Sequence, residues 1–165
     1  MSYEQYISRL ENESVSDALS SRLGLISRVL ERVEEENKWN YCYAENKWTV
    51  KQIVQHLIDC ERIFSFRAMH IVRKDDNPLF LFDENEYAKE ANVTLKSQYD
   101  LFKEYECLMT ATYLMYKNFE ENELKRSAAV VGNTINVETM GRIIAGHSLH
   151  HMDILEERYL GQKVK

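Results

Sequence analysis

The stretch "GHSLHHMDILEERY" near the end of the chain holds three of the protein's five histidines, His147, His150 and His151. Neutral imidazole is the commonest side-chain ligand for a transition metal. His147 and His151 stand four residues apart. On a helix that spacing puts both rings on one face, with Cβ atoms about 6 Å apart, and so suits two nitrogens converging on one ion. The seam around them reads Met140, Ile144, His147, His151, Ile154, Arg158. Its alternating steps of four and three are those of the inward stripe of a bundle helix. Each buried imidazole nitrogen needs a partner. A pair of hydrogen-bonded core histidines is the plain reading, and neutral imidazoles on a metal ion are the sharper one. The H-E-x-x-H pattern of zinc proteases is not met, because Ser148 follows His147. Two ligands are too few, and a third must come from elsewhere. His56 and His70 on the second helix and the adjacent His150 are the candidates. His56 and His70 lie about 21 Å apart along a helix axis, so only one of them can join, and spacing alone does not choose.

Helical periodicity dominates the chain that must position these residues. A first helix is predicted from about Ser16 to Glu35, capped by Ser14 or Ser16, with Val15, Leu19, Arg22, Ile26, Val29 and Val33 on its inner stripe. The second starts at "KWTVKQIVQH", where Thr49 and Gln52 match a capping box and Trp48 and Ile53 a hydrophobic staple. It runs to about Val72 and stops before Pro78. A long connection follows from Arg73 to about Lys96, too long for an ordinary loop and suited to a crossover. Its Phe80, Phe82 and Tyr87 predict packing onto the body. A third helix begins near Ser97, with Phe102, Tyr105, Met109, Thr112, Tyr116 and Phe119 on its face. "SAAVVGNTINV" then suggests a small hairpin around Gly132 and Asn133. The fourth helix is capped by Asn136 and runs to Leu160, where Gly161 stops it. The expected fold class is all-α, a four-helix bundle forming one domain over residues 1–165.

Composition narrows the chemistry. The 165 residues carry a net charge of −6, and no basic patch stands out, which argues against a nucleic-acid partner. No apolar run approaches the ~20 residues of a membrane span, and the polar start "MSYEQYISRLENES" has no secretory core. Cys42, Cys60 and Cys107 form no C-x-x-C pair, which predicts reduced thiols and a cytoplasmic protein. Cys60, in the apolar stripe one turn beyond His56, reads as a core residue.

"KWTVKQIVQHLIDCERIFSFR", "FDENEYA" and "AGHSLHHMDILEERYL", in this order, resemble the DinB/YfiT-like superfamily of metalloenzymes. The "FDEN" stretch resembles one branch of it. The resemblance spans about Ser14 to Leu160 and implies one histidine on the second helix facing H-x-x-x-H on the last: His56, His147 and His151. It further implies up-down-down-up topology, a divalent ion (nickel or zinc) with open positions, and, in some relatives, transfer of a low-molecular-weight thiol.

A three-histidine site with open positions is catalytic in type, so the expected function is a metal-dependent enzyme acting on a small molecule, a thiol S-transferase or a hydrolase. A non-catalytic metal- or ligand-binding bundle, with the possibility of a homodimer, is the alternative. Asp59, three residues after His56, is a candidate to orient a ligand ring, and a surface pair with Arg62 is its competing reading. His150 is a candidate substrate contact or a support for a ligand ring, and Arg67 and Arg158 are candidate substrate contacts, with an internal ion pair as their plainer role. Asp83, Glu84, Asn85 and Tyr87 are placed to cover the metal mouth, with helix–loop packing as the plainer role. The attacking group is expected to enter at the ion's open position as water or a thiol.

Overall fold

In a computed structural model of the chain, the described residues are 3–10, 12–130 and 132–161. The ends of the expected domain, 1–2 and 162–165, and the hairpin's Val131 lie outside them. Four long helices carry the fold: α2 (Val15–Glu35), α3 (Val50–Val72), α5 (Gln98–Lys117) and α7 (Val137–Ile154). Three short ones, α1 (Glu4–Ile7), α4 (Glu84–Glu90) and α6 (Glu121–Leu124), decorate them. Each long helix begins where its cap requires. Ser14, Ser97 and Asn136 accept from the backbone N–H three residues on, and Thr49 with Gln52 forms the full capping box. The hairpin is present as β1 (Ser127–Val130) and β2 (Asn133–Asn136), paired antiparallel with Val130 opposite Asn133. Gly132 supplies the positive φ of its turn.

Contacts fix the helix directions. Arg22 meets Ser148 and Arg32 meets Glu156, so α2 and α7 run parallel. Tyr159, just after α7, bonds the Trp48 carbonyl ahead of α3, while Phe64 packs on His147, so α3 runs against α7. Gln55 bonds Lys96 and Arg62 pairs with Glu104, so α3 and α5 run parallel. Parallel neighbours need a connection that returns the length of the bundle, about 35 Å for a helix as long as α3. The connection between α3 and α5 does this and carries α4 across the bundle face. Arg67 donates to the Phe80 carbonyl at 3.1 Å and Leu79 and Phe82 pack against the core, which holds the crossover down, whereas the side chains of Phe80 and Tyr87, expected to pack there, are exposed.

The core divides into two apolar clusters. One gathers Leu19, Phe64, Tyr116 and Ile144, the other Ile26, Leu57, Met109 and Met152. A polar layer interrupts them: Arg22, Glu61, His56, Ser148 and His147 are buried and His151 is partly buried.

Three expectations need correction. The last helix is α-helical only to Ile154. Leu155–Tyr159 form a π turn, closed by the Leu160 N–H on the Leu155 carbonyl. The wider turn shifts the inward face, so Leu155 and Tyr159 are buried while Arg158, expected in the seam, is exposed. In the first turn of α5 the buried residue is Leu101 rather than Phe102. The N-terminal α1 was not foreseen at all. It crosses α7 at Gly146, where a Cβ would sit 2.1 Å from the Tyr6 carbonyl oxygen, so only glycine admits the crossing.

Candidate metal centre

The antiparallel packing of α3 on α7 brings His56 to the pair on the last helix. His56, His147 and His151 each offer a ring nitrogen within 4.8 Å of the others. His56 Nε2 and His147 Nε2 stand 3.2 Å apart. Nitrogens held at about 2.1 Å by one ion are separated by roughly 3 to 3.5 Å, so this spacing fits a shared metal. The His56 ring is 4.9 Å from that of His151, and His147 is 4.7 Å from it. The buried Nδ1 of His151 has no hydrogen-bond partner among the described residues, a cost that a ligand can relieve. A donor set of three imidazoles suits zinc or nickel.

Burial sets the protonation. It lowers His56 to about 4 and His151 to about 3. His147 is held well below its ordinary value by burial first and then by the rings of His151 and His56. All three are therefore neutral near pH 7, as metal ligation requires. The same shifts carry a pH prediction for the metal-free protein. Folded values below the unfolded value of about 6.5 mean that the unfolded chain takes up protons first as pH falls. Stability is thus full above pH 7 and declines from about pH 6.5 toward pH 3 to 4. The melting temperature of the stripped protein is expected to fall more steeply over this window in the wild type than in His56→Leu/His151→Leu. Equal slopes would refute it.

The other candidates lie around this point. His70 is at the far end of α3, 3.6 Å from Asp75, and takes no part. His150 sits outside the triad with its ring 5.5 Å from Tyr6. Asp59 makes no hydrogen bond to His56, His147 or His151. Its carboxylate accepts from Gln55 at 2.9 Å, one turn back, and Arg62 pairs with Glu104 rather than with Asp59. Residues i and i+3 are offset by about 60° around a helix, and here that offset turns Asp59 toward the groove beneath Glu86, Tyr87 and Lys96. Arg158 donates to the Tyr43 hydroxyl at 3.0 Å and lies over its ring.

Two grooves lead inward. One is lined by Tyr6, Phe64, Arg67, Glu84, Asn85 and His147. The other is lined by Tyr43, Trp48, Asn85, His151, Arg158 and Tyr159. Asn85 borders both. Asp83, Glu84 and Asn85 of the crossover thus border the grooves that reach His147 and His151, while Tyr87 lines another groove, and Glu84 is the residue whose position the sequence undervalued: its carboxylate lies within 4.8 Å of a His56 nitrogen and of Cys60 Sγ. Cys60 itself is buried, and burial, then Glu84, Asp59 and Glu61, pushes its thiol well up, which keeps it protonated and inert as a nucleophile.

No protein-family model matches the chain. A protein of Halalkalibacterium halodurans with the name "Putative metal-dependent hydrolase" is 26% identical over 147 residues, 88% of this chain and 82% of its own length. YfiT from Bacillus subtilis, described as "a probable metal-dependent hydrolase with an unusual four-helix bundle topology", superposes with a TM-score of 0.75 at 18% identity. The match covers 90% of this chain and 89% of YfiT. Among the described residues no helix is long and apolar enough to cross a membrane. The chain thus shares the four-helix-bundle fold of YfiT, and within it a histidine on α3 faces an H-x-x-x-H pair on α7.

Proposed function

We propose that the protein is a metal-dependent hydrolase of a small molecule, with a divalent ion, zinc or nickel, held by His56, His147 and His151. The observation that carries this reading is the convergence of three neutral imidazoles at the inner ends of two grooves. When bound, an ion held only by neutral nitrogens keeps its double charge and activates a water or a substrate oxygen as a Lewis acid. The chain's own residues do the remaining work. Arg158, at the rim of the groove that ends on His151, binds an anionic part of the substrate. Trp48, 5.0 Å from the His56 ring, and Phe64, 6.0 Å from His147, wall off water on either side. The names carried by the two similar proteins support hydrolysis.

Thiol transfer is the second reading. Two grooves meeting beside Asn85 offer separate routes for a low-molecular-weight thiol and its electrophile, and the family resemblance implies such chemistry. Zinc- or nickel-loaded protein screened against ester and amide substrates, and against electrophiles with small thiols, decides between them. We expect metal-dependent ester or amide cleavage that drops by about 100-fold or more in His151→Ala. Turnover only with a thiol present would establish the second reading. Turnover by metal-stripped His56→Ala would refute both, and metal binding without turnover in either panel would leave a binding bundle.

A further inference from the structure

The crossover delivers one carboxylate to the histidines. Glu84 opens α4, directly after its cap residue Asp83, and is half-buried at the inner end of the groove that also reaches His147. Asp83 is occupied by the backbone N–H groups of Asn85 and Glu86. No described side chain donates a hydrogen bond to Glu84, and its carboxylate faces His56 and Cys60 within 4.8 Å. It does not come within that distance of all three histidines, which form their own group without it. Ligands of one ion at about 2.1 Å lie no more than about 4.2 Å apart. Glu84 therefore stands outside the ring of ligands, at the reach of a hydrogen bond to a molecule seated on the ion.

We propose that Glu84 is the specificity carboxylate of the open position: it accepts a hydrogen bond from an incoming ligand that carries a proton, such as water, an alcohol or a thiol, and repels small anions. This rests on the three-histidine metal reading and adds to it a residue from the crossover rather than from the bundle. Among the described residues no Lys, Arg or His side chain forms an ion pair with Glu84, and Cys60 lies buried beside it. Arg67, in the same groove, donates to the Phe80 carbonyl.

The test uses cobalt(II)-loaded protein, whose visible spectrum reports on ligands that bind the ion. Azide is the anionic probe and imidazole the neutral one. Glu84→Gln is expected to keep a cobalt site with all three imidazoles but to bind the ion about tenfold or more weakly, because a negative charge near a dication is lost, so the probes are titrated at saturating cobalt. Azide is expected to bind Glu84→Gln about tenfold more tightly than wild type at pH 8, since a nearby negative charge has gone. Imidazole affinity should stay within about twofold. Glu86→Gln, the same charge change on the same short helix but in a different groove, should leave azide affinity as in wild type. Equal azide affinity in Glu84→Gln and wild type overturns the Glu84 proposal and leaves the metal site standing. An equal shift in Glu86→Gln also overturns it, as an effect of overall charge. Wild type that binds no cobalt overturns the metal reading together with it.

Discussion

His151→Ala is expected to lose its bound divalent ion while keeping its helices. The candidate site offers three imidazoles, so removing one leaves two neutral nitrogens, those of His56 and His147, to hold an ion. Loss of an outer-shell partner alone weakens metal sites 10- to 100-fold, and loss of a ligand costs more, here about 100-fold or greater. Elemental analysis of freshly purified wild type and His151→Ala, followed by zinc or nickel titration, measures it. Equal metal content in the two proteins, or no binding by wild type after reconstitution, would refute the site. The fold should survive because the two apolar clusters do not depend on the ion. A chain of this length buries a core large enough to fold without a metal staple. Far-ultraviolet circular dichroism of stripped wild type and of His151→Ala is expected to match that of the loaded protein. The melting point should be lower only by the mass-action contribution of the lost ligand.

Much of this was legible in the sequence because local rules govern it. The caps Ser14, Thr49, Ser97 and Asn136 mark four helix starts, each read from a side chain and the backbone a few residues on. The pairing of His147 with His151 follows from helix geometry alone. What the sequence withheld depends on long-range packing. His56 and His70 are both buried on α3, and only the antiparallel run of α3 against α7 decides which meets the pair. Family resemblance supplied that choice where spacing did not. The π turn at Leu155–Tyr159 has no local signature, so Arg158 was placed inward although the extra width carries it out. At four residues, α1 is too short to form by itself; it exists through its crossing at Gly146. From the sequence Glu84 reads as either cover of the site or helix–loop packing, and its approach to His56 depends on the path of the crossover. Arg22 was visible as a charge in an apolar stripe, yet its partner Glu61 was not, because the two are 39 residues apart.

That pair carries the largest expected effect on stability. Arg22 is 1% exposed and Glu61 3%, and the guanidinium grips the carboxylate with two bonds, at 2.6 and 2.9 Å. It also donates to Ser148 Oγ at 2.8 Å, tying α2 and α3 to α7 one residue beyond His147. Burial opposes the charge on Arg22, but Glu61 more than offsets it and holds the guanidinium above its ordinary pKa. Arg22→Met would leave Glu61 buried without its counter-charge. Breaking a buried pair from one side costs about 3 to 5 kcal/mol, whereas replacing both partners by apolar groups is often neutral. Arg22→Met is therefore expected to lower the melting temperature by roughly 6 to 20 °C for a chain of this size, and Arg22→Met/Glu61→Leu to recover most of that loss. If the double variant is as unstable as the single one, the pair contributes net stability and the desolvation argument fails. The recovered double variant then isolates the functional role of the layer. With Ser148 released from Arg22, α7 is free to shift beneath His147, and zinc affinity is expected to fall by about 10-fold, the scale of a lost outer-shell partner. Unchanged zinc affinity in a stable double variant would mean that α7 is positioned by the apolar clusters alone.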